Sequence, residues 1–270
     1  MKVFKGILLA LALLAAACAA VLIYAGRIEP YRVKIERLEI SGAAVSAPMR
    51  VAAFGDTHVG NGLTAEDIRR AAEKIEALQP DILVFLGDLF DDYQSYNGDE
   101  EEELARVLAF ESLPNMQKYS VYGNHDLGGG AKRMYEQIMA DAGFELLVNG
   151  RADAGKNVNI IGADDWIFGT PDISGCVREG MFNLLLAHEP DWGANAQGVQ
   201  LQLSGHSHGG QISLPLLTRK ILPFGAHTYV RGSYEKEDGG IIYVNRGLGM
   251  SKLRLRFASA PEITLVEITP

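Results

Sequence analysis

The sequence contains only two cysteines, Cys18 and Cys176, in 270 residues. No disulfide framework can therefore hold the main body together, and no set of thiolates can bind zinc. Basic charge is scarce as well: 25 Lys and Arg stand against 34 Asp and Glu, for a net charge of -9. A general nucleic-acid binder normally presents a basic face, so no nucleic-acid partner is expected. Internal repeats and low-complexity linkers are missing, and long apolar runs are limited to one, at the amino terminus. What remains has ordinary globular composition, with 47% hydrophobic residues, enough for one large domain with a substantial core.

The apolar run extends from Ile7 to Ala25 without a charge, after Lys2 and Lys5. As a helix it spans roughly 29 Å, close to the hydrocarbon thickness of a bilayer. A cleaved signal peptide could use the small residues Ala15-Ala16-Ala17. A lipoprotein would be modified at Cys18, although Ala15 fits poorly three positions before it. Either fate leaves Val21-Leu22-Ile23-Tyr24 as an apolar stub. An uncleaved anchor accounts for the whole run, with Tyr24 at the interface. The expectation is a single-pass anchor over residues 1–26, contacting the membrane through residues 7–25, and one folded domain over 27–270. Arg27, Arg32, Lys34 and Arg37 outnumber Lys2 and Lys5, which by itself favours a cytoplasmic body. A short basic amino terminus before a first span usually stays inside, however, so the body is expected to be extracytoplasmic.

Strand and helix patterns alternate along the body, which predicts an α/β fold. The segment Tyr31–Ile40 alternates as a half-exposed strand, with a slip near Glu36-Arg37. Arg50–Phe54 is a short apolar strand, and Thr64 with Asp67 forms a capping box for a helix that Pro80 ends. Asp81–Leu86 reads as a strand buried on both faces. Acidic residues from Asp99 to Glu103 open a helix through Leu113 as a solvated face. Tyr119–Tyr122, Glu145–Val148, Val158–Ile161 and Asn183–Ala187 follow as strands, with a helix over 131–142 and a short helix starting at Thr170-Pro171. Val199–Ser204 alternates as a half-buried strand.

Polar clusters follow these strands: Gly55-Asp56-Thr57-His58, Gly87-Asp88-Leu89-Phe90-Asp91, Gly123-Asn124-His125-Asp126, His188-Glu189-Pro190 and Gly205-His206-Ser207-His208-Gly209-Gly210-Gln211. The carboxyl ends of strands in an open α/β sheet are where ligands bind. Asp56, His58, Asp88, Asn124, His188, His206 and His208 offer oxygen and imidazole donors without thiolate, a set suited to Mn, Fe or Zn. Seven donors exceed the need of one catalytic ion and suffice for two divalent ions if one carboxylate bridges. Singly, Asp56 or Asn124 is a turn former or helix cap, and His188 a core histidine. The ordered clusters carry the metal reading, since five of the 6 histidines fall in them, His125 included. His227 is left without a role, while Asp91 and Asp126 are expected to orient ligands or cap helices.

Asp56-x-His58, Gly87-Asp88-x-x-Asp91, Gly123-Asn124-His125-Asp126, His188 and Gly205-His206-x-His208 resemble the five ordered motifs of the calcineurin-like metallophosphoesterase superfamily. The extended His206 motif and Arg246-Gly247-Leu248-Gly249 are similar to its membrane-anchored bacterial branch, which includes phosphodiesterases acting on cell-envelope lipids. The resemblance implies a sandwich of two mixed β-sheets flanked by helices. It also implies that Asp56, His58 and His208 hold one ion with Asp88, while Asp88 bridges to a second that takes Asn124, His188 and His206. His125 is implied to face the substrate phosphate without ligating metal. Paired ions lower the pKa of a shared water and stabilise charge on phosphate oxygens, so the expected reaction is hydrolysis of a phosphodiester or diphosphate, in an envelope or lipid-linked substrate, by metal-bound hydroxide. A phosphomonoesterase or protein phosphatase is the alternative within enzymes, and a non-catalytic metal-binding scaffold the alternative outside them. The HxHxDH arrangement of metallo-β-lactamases is absent. Leu214, Leu216, Leu217, Ile221, Leu222 and Phe224, interleaved with Arg219 and Lys220, read either as core contacts or as an apolar, basic rim facing a bilayer.

Overall fold

In the computed structural model the described residues are 2–214 and 218–270. Helix α1 (Lys2–Ile23) buries none of its residues and is long and apolar enough to cross a membrane. It runs on through a π turn (Tyr24–Ile28) and a 3-10 turn (Glu29–Tyr31) onto the body. Ala25 and Glu29 of this segment are buried.

Two six-stranded mixed sheets form the body. The first has the order β1 (Lys34–Ser41), β12 (Glu262–Thr269), β2 (Met49–Phe54), β3 (Ile82–Phe85), β4 (Gln117–Ser120) and β5 (Glu145–Leu146). The second has the order β10 (Gly232–Glu235), β11 (Ile241–Val244), β9 (Leu201–Ser204), β8 (Phe182–Leu186), β7 (Val158–Gly162) and β6 (Gly150–Asp153). β2, β3 and β4 run parallel as neighbours, as do β7, β8 and β9.

The two-residue period of a strand divides the core into layers. Val51, Ala53, Ile82 and Val84 face the second sheet, where they meet Ile160, Leu184, Leu186 and Leu203. Ala52, Phe54, Leu83 and Phe85 face the opposite way, against helices α2 (Ala65–Leu78), α3 (Glu101–Leu108) and α5 (Lys132–Asp141). Each such Leu, Ile or Phe contributes about 1.5–3 kcal/mol on burial. The outer side of the second sheet carries a smaller cluster of Ile161, Leu185, Ala187 and Val199. α2 begins as the capping box predicts, with the Thr64 N–H donating to the Asp67 carboxylate (3.1 Å).

Several expectations are corrected. β1 has no slip at Glu36-Arg37, because it pairs with β12 in unbroken register from Lys34 to Ser41. α3 stops at Leu108 rather than Leu113, and Phe110 at φ +50° turns the chain. No helix starts at Thr170, since Asp164 and Asn149 take the N–H groups of Thr170 (2.9 Å) and Asp172 (2.8 Å). β9 is buried on both faces rather than one: Leu201 and Leu203 pack into the core between the sheets, and Gln202 and Ser204 are buried on the opposite face. Its buried Gln202 donates from Nε2 to the Pro190 carbonyl and the Ser204 hydroxyl (2.9 Å each). In the segment after the histidine loop, Leu222 is buried, whereas Leu214, Ile221 and Phe224 are exposed. Leu216, Leu217 and the side chain of Arg219 lie outside the described residues.

Candidate metal centre

The parallel strands β2, β3 and β4 end in the turns carrying Asp56 and His58, Asp88 and Asp91, and Asn124 and His125. From the facing sheet, β8 ends before His188 and β9 before His206 and His208. The structure brings all seven expected metal residues to this one region. Five of them have positive φ: Asp56 (+47°), His58 (+43°), Asp88 (+59°), His206 (+68°) and His208 (+51°). Left-handed backbone at a residue with a Cβ costs of order 1–3 kcal/mol and persists only where surrounding contacts hold it.

Those contacts are specific. Asp56 accepts the His206 N–H through both carboxylate oxygens (2.9 and 3.1 Å), tying the first turn to the last. Asp126 accepts the N–H groups of Asp88 (2.8 Å), Leu89 (3.0 Å) and Gly123 (2.8 Å), so it orders two turns. Gly247, at φ +67°, lies where a Cβ would run into Asp56.

The donors form overlapping groups. Donor atoms of Asp56, His58 and His208 lie within 4.8 Å of one another, as do those of Asp88, His188 and His206, and those of His58, Asp88 and His125. Asp88 joins the groups: its Oδ2 is 3.5 Å from His58 Nε2 and 3.2 Å from His188 Nε2. His58 Nε2 in turn lies 3.0 Å from His208 Nε2.

Ring tautomers and unpaired atoms test whether cations fit. His188 Nδ1 donates to the Leu86 carbonyl (2.6 Å), which leaves a bare Nε2 lone pair aimed at Asp88 in the neutral ring. His206 Nε2 donates to the Phe224 carbonyl (2.8 Å), which frees its Nδ1. His188 Nε2 and Asn124 Oδ1 are buried without a hydrogen-bond partner. Such orphaned acceptors are costly unless a cation meets them. Burial opposes charge on His188, yet the carboxylates of Asp88 and Asp56 raise its proton affinity well above the usual range. The same negative field attracts metal ions. Burial and the neighbouring His188 push His206 down to about 3, and burial with His58 and Arg256 holds His208 well below its usual range. Both rings are therefore neutral, each with one unprotonated nitrogen. The His/Asp groups fit metal binding.

Asp91 Oδ1 stands 3.0 Å from His58 Nδ1, while His58 Nε2 faces Asp88. His125 donates its backbone N–H to Asp88 Oδ1 (2.8 Å), and its Nδ1 contacts the Asp91 carbonyl. Its ring stacks edge-on to His58 (4.6 Å) and stays 28% exposed, whereas His58 and His188 are fully enclosed. A cleft of about 440 Å³, lined by Tyr122, Leu127, Lys132, Asp164 and Phe168 among others, opens beside α4 (Asn124–Gly128). Sequence reasoning missed Arg256, which is fully buried with Nη2 3.3 Å from His208 Nδ1. It sits in the basic run Arg254-Leu255-Arg256, where no local pattern separates it from a solvated neighbour.

Comparison with known proteins agrees with this geometry. The family described as calcineurin-like phosphoesterase matches residues 49–210. The metallophosphoesterase YkuE of Bacillus subtilis is 35% identical over 255 residues, covering 90% of this chain and 87% of its own. The UDP-2,3-diacylglucosamine pyrophosphatase LpxG of Chlamydia trachomatis is 26% identical, with 98% of each chain covered. The phosphodiesterase YaeI of Escherichia coli is 28% identical, with 83% of each covered. The matched segment begins at β2 and closes on the histidine loop after β9, so it spans every turn that supplies a donor. On these grounds the chain belongs to the calcineurin-like phosphoesterase family and is a metal-dependent phosphoesterase.

Proposed function

We propose that the protein hydrolyses a phosphodiester or diphosphate bond at a dinuclear centre, in a lipid-linked or other envelope substrate. The observation that carries this reading is Asp88 Oδ2, set between His58 Nε2 (3.5 Å) and His188 Nε2 (3.2 Å). A carboxylate so placed is shared by two donor groups. Asp56, His58 and His208 would hold one ion, Asn124, His188 and His206 the other, and Asp88 both. Bound Mn, Fe or Zn ions supply an activated water nucleophile and charge stabilisation at the phosphoryl oxygens. Asp91 and Asp126 keep the donors in place, and the enclosed rings of His58 and His188 exclude bulk water from them. His125, on the open side, faces the leaving group and protonates it.

Three observations support an envelope substrate. α1 provides a helix able to span a bilayer. Leu214, Ile221 and Phe224 are exposed on the segment that returns to the site, where the Phe224 carbonyl bonds His206. LpxG, a relative matched end to end, is named for a diacylated nucleotide-sugar substrate. In this reading the body stands on the extracytoplasmic side.

Hydrolysis of bis(p-nitrophenyl) phosphate by the full chain with Mn²⁺ tests the reaction class. Turnover that chelation abolishes and Mn²⁺ restores is expected. A pure, folded protein inert with Mn²⁺, Fe²⁺ and Zn²⁺ would instead favour a metal-binding scaffold.

A further inference from the structure

The segment joining α1 to the body is bonded along its length to residues 256–259, a strap that lies behind His208. The Ala25 carbonyl accepts the Arg256 N–H (2.9 Å), and Tyr24 packs edge-on against Phe257 at 6.5 Å. Glu29 is buried, 3% exposed, and its Oε1 accepts the Ser259 N–H (2.7 Å). The Ser259 hydroxyl donates in turn to the His208 carbonyl (2.8 Å). Arg256 donates from Nη1 to the Ser259 carbonyl (2.9 Å), from Nε to the Gly249 carbonyl (2.9 Å) and from Nη2 to the Arg246 carbonyl (2.8 Å). The loop it gathers closes on Asp56, whose carbonyl accepts the Gly249 N–H (2.7 Å). Two short chains of hydrogen bonds thus connect residues 25–29 with His208 and Asp56. His208 needs such support, because its φ of +51° is strained.

We propose that Glu29 and Arg256 are positioning residues, through which the juxtamembrane stem sets the geometry of the Asp56–His58–His208 group. The inference deepens the dinuclear reading and rests on it for the identity of what His208 binds. A tether would serve as an anchor with few contacts. This stem buries an acidic side chain, which is tolerated only when its hydrogen bonds are made. Its partner Ser259 lies 230 residues away in the chain, directly behind a donor residue. In the other group, His188 and His206 are held by the Leu86 and Phe224 carbonyls, and among the described residues Arg256 and Ser259 make no hydrogen bond to their rings. Disturbing the stem therefore acts first on the Asp56–His58–His208 group, and on His206 only through the loop it shares with His208 and its N–H bond to Asp56.

The test uses the full chain in detergent micelles, as wild type, Glu29→Ala and Glu29→Gln. The glutamine keeps an oxygen that accepts the Ser259 N–H, so it is the rescue. In metal-free protein, Glu29→Ala is expected to raise amide exchange across residues 206–211 by about ten-fold while leaving 123–127 within about two-fold. Stepwise titration with Mn²⁺ is expected to show one of two ions weakened by about 10–100-fold, the magnitude of losing an outer support to a ligand. kcat falls and KM holds, and Glu29→Gln restores all three readouts. Unchanged exchange at 206–211 in Glu29→Ala overturns the proposal, as does an equal rise in both loops with uniform loss of both ions. A wild type that takes up fewer than two ions defeats the dinuclear reading instead, and the metal-free exchange comparison still decides the coupling.

Discussion

Oδ2 of Asp88 lies 3.2 Å from Nε2 of His188, a nitrogen whose ring proton is committed to the Leu86 carbonyl on the far side. Two lone pairs that close repel unless a proton or a metal ion sits between them, and the raised proton affinity of His188 shows how strongly the site calls for positive charge. Asp88→Asn removes a negative charge and replaces a shared oxygen with an N–H donor. Both ions should bind at least about 10²-fold more weakly, and turnover should fall with them. Elemental analysis of the purified variant checks this, and two retained ions with near-normal turnover would refute the bridging role.

His125 is tied by its backbone N–H to Asp88 Oδ1 (2.8 Å), while its ring remains 28% exposed beside His58. An alkoxide leaving group needs a proton, and a nitrophenolate needs little help. His125→Ala is expected to keep both ions and to slow alkyl or sugar phosphodiesters by about 10²–10⁴-fold, with a much smaller effect on nitrophenyl esters. An equal fall on both substrate types with metals intact would show that His125 only packs against or orients its neighbours.

Gly247 combines φ +67° with a position where a Cβ meets Asp56. Gly247→Ala should therefore cost about 1–3 kcal/mol of stability and displace Asp56 from its donor group. Thermal melts with and without Mn²⁺ read both effects, since metal stabilises the folded chain only where it binds. A variant that melts like the wild type and gains as much from Mn²⁺ would contradict the close approach.

How much of this was legible beforehand depends on the distance over which a residue acts. Asp56, His58, Asp88, Asn124, His188, His206 and His208 each follow an apolar run directly, and local order was enough to find them. β3 was legible because Ile82–Phe85 is buried on both faces and shows it as a continuous apolar run. β6, β10, β11 and β12 were not anticipated. β6 and β10 alternate weakly between half-buried and exposed positions, and β12 places buried Glu262 and Thr264 among its apolar residues. Glu262 is tolerated because Arg246 and Tyr243 satisfy it, partners that no local pattern announces. Glu29 and Arg256 were hidden for the same reason.

Ile221 and Phe224 are 53% and 58% exposed, whereas Leu222 between them is buried. The rim reading therefore rests on the first two, and Leu222 belongs to the packing. Ile221→Ser with Phe224→Ser should reduce turnover of a lipid phosphodiester in vesicles by about ten-fold or more, given about 1.5–3 kcal/mol per side chain withdrawn from lipid. A small soluble diester should be turned over nearly as before. Equal loss on both substrates would assign these side chains to the fold.

Anomalous diffraction from crystals of the full chain grown with Mn²⁺ tests the central claim most directly. The account predicts two peaks, one on each side of the Asp88 carboxylate, roughly 3.5–4 Å apart. One is expected against Asp56, His58 and His208, and the other against Asn124, His188 and His206. A single peak, or two peaks with Asp88 touching neither, would contradict it.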